Sequence, residues 1–81
     1  MKTVLMFKNG VSLTFQKGNK IIKDGKEHTL ESILDEVLNA ETHEIMTINH
    51  SGVMDGTKFN TTYKIPREMI TWGYVEVKDV K

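Results

Sequence analysis

The side chains of this chain that could do chemistry are three histidines, three serines and a set of neighbouring carboxylates. His43 and His50 are the closest histidine pair. If the segment between them is extended at about 3.3 Å per residue, roughly 23 Å separates them, too far for one metal ion. His28 stands alone, with no companion at HxxxH or HExxH spacing. Ser12, Ser32 and Ser51 lie in no Gly-x-Ser-x-Gly elbow, the turn that would expose a nucleophile. Asp35 and Glu36 are adjacent, so on a helix they point about 100° apart and do not form an acid–base pair. Gly52-Val53-Met54-Asp55-Gly56 lacks the Lys and Ser/Thr of a phosphate-binding loop. With no cysteine there is no thiolate nucleophile, iron–sulfur cluster or cysteine-based zinc site. The sequence therefore predicts no enzyme, no cofactor and no metal.

Two patterns point instead to binding. Lys17, Lys20, Lys23 and Lys26 cluster near one loop, where flexible cations could contact phosphates, although no aromatic residue alternates with them to stack on bases. Trp72 and Tyr74, with Tyr63 and Phe59 from the preceding strand, supply large aromatics of the kind enriched at protein contacts. The ordinary reading of these aromatics is core. The ordinary reading of the lysines is a solvated loop.

Composition bounds the rest. Eighty-one residues make a single domain, residues 1–81, with a thin core that self-association would help to cover. Hydrophobic content of 38% and charged content of 27% suit a globular chain. Net charge is zero, but its distribution is uneven. Six lysines oppose only Asp24 through residue 26, and six acids with no lysine or arginine follow from Glu27 to Glu44. No stretch approaches the roughly 20 apolar residues that cross a bilayer, so no membrane role is expected. The opening apolar residues meet Lys8-Asn9-Gly10 too early for a signal peptide, which makes the cytoplasm the expected location. Two Asn-x-Ser/Thr matches, at Asn49 and Asn60, are then chance.

The elements that must position these residues follow from periodicity. Val4 to Lys8, Asn9-Gly10 and Val11 to Phe15 read as a β-hairpin with a two-residue turn. That register sets Met6 opposite Leu13 and Val4 opposite Phe15 as the core face. Ile21-Ile22, between two turn-like clusters, is either a short strand or a packed loop. Thr29 offers an N-cap, and Leu30, Ile33, Leu34, Val37 and Leu38 recur on one helical face, with Asn39-Ala40 as the stop. Glu44 to Asn49 reads as a strand, followed by turns at Ser51-Gly52 and Asp55-Gly56. Lys58 to Ile65 alternates, with Phe59, Thr61, Tyr63 and Ile65 on one face. In the last strand, Ile70 to Val77, the apolar phase changes, so either Gly73 marks a bulge or both faces are covered. The expected fold is α+β: an antiparallel sheet of about five strands with one amphipathic helix, in the order β-β-α-β-β-β.

Phe7-Lys8-Asn9-Gly10-x-x-Leu13-Thr14-Phe15 and the closing Tyr63-x-Ile65, Ile70 and Tyr74-Val75-Glu76-Val77 resemble small accessory proteins encoded by phages and prophages of Gram-positive bacteria. The resemblance implies a protein that acts by occupying a host or defence protein, inhibitors of CRISPR nucleases being one kind. It carries no site residues. Together these readings give a non-enzymatic protein-binding module, expected to be a homodimer, with contacts through Trp72, Tyr74, Tyr63 and Phe59. The alternative is a nucleic-acid-binding accessory protein that uses Lys17, Lys20, Lys23 and Lys26.

Overall fold

The computed structural model describes residues 1–77. Their elements are β1 (Lys2–Phe7), β2 (Ser12–Gln16), β3 (Lys20–Lys23), β4 (Lys26–His28), α1 (Leu30–Leu38), β5 (Ile45–Met54), β6 (Thr57–Pro66), a 3-10 turn (Arg67–Met69) and β7 (Ile70–Glu76). All strand pairs are antiparallel. They form two sheets, ordered β2-β1-β7 and β4-β3-β5-β6. The α+β class stands. The expectation of one sheet of about five strands does not, since seven strands divide between two sheets and four of them precede the helix.

The extra strands come from the segment around Ile21-Ile22. Asp24 (φ 51°) and Gly25 (φ 85°) both adopt positive φ, the signature of a two-residue I′ turn, and join β3 to β4. Asp55 (φ 51°) and Gly56 (φ 78°) make the same turn between β5 and β6. Ser51-Gly52, expected to be a turn, lies inside β5, which runs straight on to Met54.

The first hairpin differs from its expected register by one residue. Gly10 N–H donates to Phe7 C=O and Phe7 N–H to Val11 C=O. Gly10 alone takes positive φ, so the loop has three residues, Lys8 to Gly10, rather than two. Leu5 therefore faces Leu13 and Thr3 faces Phe15. A one-residue slip exchanges the two faces of a strand, which turns Val4 and Met6 to the opposite face from Leu5, although Val4 stays buried at 4% exposure.

A single cluster of buried side chains joins both sheets and the helix, with Leu5, Phe15, Ile21, Ile33, Met46 and Ile48 fully enclosed. Each contributes roughly 1.5–3 kcal/mol by leaving water. The helix begins where expected: Thr29 Oγ1 accepts from Ser32 N–H at 3.0 Å, and Ser32 Oγ accepts from Thr29 N–H at 2.9 Å. This reciprocal box satisfies two of the otherwise orphaned donors at the helix start. Asn39 N–H, bonded to Asp35 C=O, closes the other end. Arg67 reinforces that end by donating to Leu38 C=O at 3.4 Å and to Ile70 C=O at 2.9 Å.

Helix α1 lies over β1 and β7, where the buried Thr3 hydroxyl donates to Leu30 C=O. On the helix side of β1, Thr3 and Leu5 thus stand where the expected register put Val4 and Met6. At Gly73, a Cβ would stand 2.7 Å from Leu34 Cδ1 and 2.9 Å from the Val4 carbonyl oxygen. Gly73 is therefore a point of close approach and not the bulge. The bulge lies at Thr71, because Met6 pairs with Trp72 while Phe7 pairs with Ile70. Thr71 Oγ1 donates to Met6 C=O at 3.1 Å and pins the irregularity.

Two substitutions test this packing. Gly73→Ala must push against a backbone oxygen and is expected to cost about 1–3 kcal/mol. Ile33→Ala, at a fully buried position, is expected to cost about 2–5 kcal/mol. Urea unfolding measures both. A Gly73→Ala protein as stable as the parent would contradict the close approach of helix and sheet.

Candidate functional site

The bulge at Thr71 decides where the aromatics point. Ile70 is buried on the helix side. One extra residue shifts the alternation, so Gly73 and Val75 follow it inward while Trp72 and Tyr74 turn outward. Their rings stack at 5.4 Å with an interplanar angle of 25°. Both remain accessible, Trp72 at 53% and Tyr74 at 36%. Across the strand pair they stand beside the half-buried Met6 and the buried Val4, and the next position on this face carries the Lys2–Glu76 ion pair at 3.8 Å. The result is an apolar, partly aromatic strip on the face of the three-stranded sheet turned away from the helix.

Phe59 and Tyr63 are not part of that strip. They lie on the inner face of β6 in the other sheet, where they border a cavity of about 470 Å³ together with Leu13, His50, Met54 and Thr61. Tyr63 also borders a smaller hollow of about 260 Å³ beside Phe7, Pro66 and Met69. The four predicted aromatics therefore belong to two separate surfaces.

His50 forms one wall of the larger cavity and is 6% exposed. Its ring sits edge-on between Phe15 (4.8 Å) and Phe59 (4.9 Å). His50 Nε2 lies 2.8 Å from Asn19 Oδ1, which also accepts from Gln16 N–H at 2.8 Å. An oxygen that already accepts one hydrogen bond can accept another, so neutral His50 carries its proton on Nε2. Burial pushes its pKa below the usual histidine value. No sequence pattern marked this site, because Asn19 and His50 are separated by 31 residues.

The four predicted lysines do not form one surface. Lys17 is exposed in the turn between β2 and β3, near Lys2 and Glu76. Lys20 lies on the outer face of β3, and Lys26 on the rim of an acidic pocket. Lys23 points inward and is only 8% exposed, with Nζ 3.0 Å from Asp24, 3.4 Å from Glu44 and 3.9 Å from Glu36. Burial is the strongest influence on Lys23 and opposes its charge, but Asp24 and Glu44 outweigh it and hold the pKa above the usual lysine value. Asp24 is held below the usual carboxylate range by Lys23 and by the Thr47 N–H. A lysine locked as an ammonium among carboxylates is neither a nucleophile nor a free phosphate ligand.

Beside this centre is a pocket of about 420 Å³ bordered by His28, Ser32, Asp35 and Glu36. His28 Nδ1 lies 3.1 Å from Ser32 Oγ, the one serine–histidine contact found among the described residues. The same Ser32 oxygen already accepts from Thr29 N–H as half of the helix cap. Its geometry is accounted for by the helix start. Among the described residues no three histidine, aspartate or glutamate side chains are grouped as metal ligands. His43 is exposed and contacts only Glu41, at 3.4 Å, among the ion pairs found.

No helix among the described residues is long and apolar enough to cross a membrane. No protein-family model, curated protein or solved structure matches the chain.

His50 gives this region a pH signature. Its folded pKa is depressed, so the unfolded chain binds the proton more readily. Stability is then full above the unfolded value of 6.5 and declines as the pH falls below it toward the depressed folded value. Urea unfolding between pH 8 and pH 5 should show this loss. A His50→Gln protein, which retains an N–H donor but does not titrate, should show less of it. An equal decline in both proteins would place the pH sensitivity elsewhere.

Proposed function

We propose that this chain is a non-enzymatic protein-binding module whose contact surface is the Trp72–Tyr74 face of the three-stranded sheet. The observation that carries this reading is the stacked, half-exposed aromatic pair on the side of the sheet that the helix leaves uncovered. Tryptophan and tyrosine supply large contact areas at low entropic cost and recur at the energetic centres of interfaces. A small domain that turns its single tryptophan outward forgoes core area that it could otherwise have buried.

A second copy of the chain is the first occupant of this face. Lys2 and Glu76 place opposite charges side by side at one end of the strip. Under a two-fold rotation, a patch that carries both signs can meet itself without like charges opposed. The resemblance to phage accessory proteins supports a host or defence protein as the further partner. The nucleic-acid reading is weaker, because Lys23 is committed to Asp24, Glu36 and Glu44 and the remaining lysines of that group diverge.

Sedimentation velocity from low to high micromolar concentration tests the proposal. The parent should shift from monomer to dimer, with little change between 0.1 and 0.5 M salt, since aromatic burial is weakly screened. Trp72→Ala should remain monomeric while losing no more than about 1 kcal/mol of folding stability, as expected for a half-exposed side chain. A parent that stays monomeric throughout, or a Trp72→Ala protein that still dimerises, rejects this face as the contact between copies. Tight, steeply salt-sensitive binding to single- or double-stranded DNA would favour the lysine reading instead.

A further inference from the structure

Among the described residues, strand β6 is an edge of the four-stranded sheet and pairs with β5 alone. The two-residue turn at Asp55-Gly56 makes Met54 and Thr57 a hydrogen-bonded pair, and the antiparallel ladder then alternates along the hairpin. Thr57, Phe59, Thr61, Tyr63 and Ile65 direct their backbone groups at β5. Lys58, Asn60, Thr62 and Lys64 direct theirs outward, along the edge. The alternation also divides the side chains: Phe59 and Tyr63 border the 470 Å³ cavity, while Lys58 and Lys64 are exposed on the opposite face.

This edge therefore offers three features in register: a row of backbone donors and acceptors, an apolar hollow on one face, and two lysines on the other. We infer that β6 takes up an extended polypeptide segment in which acidic and apolar residues alternate. The segment adds as a strand to the β6 edge, its apolar side chains entering the hollow beside Phe59 and Tyr63 and its carboxylates meeting Lys58 and Lys64. Backbone hydrogen bonds supply affinity in this mode of recognition, and the alternating side chains supply selectivity.

A second copy of β6 is a poor occupant. The antiparallel self-pairing that engages all four outward residues is centred on Thr61 and places Lys58 opposite Lys64 twice. Like charges directly opposed across a strand pair are destabilising, and edge lysines are a common guard against such pairing. The charges that repel a second β6 strand attract an acidic one. Asn49 strengthens the platform on the lysine face, where its Nδ2 donates to Asn60 Oδ1 at 2.7 Å and to Thr62 Oγ1 at 3.0 Å. This surface is separate from the Trp72–Tyr74 strip, which lies on the other sheet.

The probe is a capped synthetic peptide of alternating glutamate and valine, long enough to span Lys58 to Lys64, titrated calorimetrically into the full chain. Binding should weaken at least tenfold for the lysine–valine peptide and for the doubly substituted Lys58→Glu, Lys64→Glu protein. Trp72→Ala should leave it unchanged. N-methylation of one alternate set of peptide amides should abolish binding, and of the other set should not, because only one set faces β6. That comparison leaves the protein unaltered and stands even if the lysine variant fails to fold. Bound peptide should slow amide exchange at Lys58, Asn60, Thr62 and Lys64. No binding at millimolar peptide, equal binding of the lysine–valine peptide, equal effects of the two methylation patterns, or protection confined to other strands would each overturn the inference.

Discussion

The close seating of α1 on β1 and β7 is the constraint on which the rest of the structure depends. A Cβ at position 73 would stand 2.7 Å from Leu34 Cδ1 and 2.9 Å from the Val4 carbonyl, so only glycine lets the helix settle there. For Gly73 to face the helix while Ile70 stays buried, β7 must gain one residue between them, and the bulge at Thr71 supplies it. The same added residue turns Trp72 and Tyr74 outward. Core packing and the exposed aromatic strip are thus two consequences of one backbone irregularity.

The uneven charge along the chain is resolved at Lys23. The lysine-rich opening and the acidic middle look like two opposed surfaces in the sequence, yet the topology brings them together where β3 faces the end of α1 and the start of β5. Asp24, Glu36 and Glu44 come from three different places in the chain and converge on one amine. Breaking up such a centre by removing the lysine would leave neighbouring carboxylates without their counter-ion, so Lys23 is better understood as a constraint on how the β3–β4 hairpin meets the helix than as a ligand.

Much of the fold was legible from local pattern. Thr29, the five-residue apolar stripe and Asn39 gave the helix with its bounds, since both the cap and the periodicity are local signals. The inner face of β6 was legible for the same reason. The first hairpin was harder: Val4, Leu5, Met6 and Phe7 are all apolar, so alternation could not choose the face, and a one-residue difference in loop length decided it. The phase break in β7 was visible and left two explanations, a bulge at Gly73 or cover on both faces; in the structure a threonine forms the bulge and the glycine receives the helix. Trp72 and Tyr74 could be grouped because they are two apart on one strand. Their separation from Phe59 and Tyr63 could not be read, because it depends on which strands share a sheet. The His50–Asn19 contact and the approach of Glu36 and Glu44 to Lys23 were hidden likewise, being products of long-range topology.

Trp72 is the only tryptophan in the chain, so its fluorescence reports on the bulge and on the proposed contact at once. The direct measurement is quenching of that fluorescence by acrylamide as a function of protein concentration. The account predicts a strongly quenched tryptophan in dilute solution, where the strip is open to water, and a shielded one at high micromolar concentration, where a second copy covers it. A tryptophan shielded at every concentration would contradict the outward turn imposed by the Thr71 bulge, and one equally quenched at every concentration would contradict the aromatic face as a contact surface between copies.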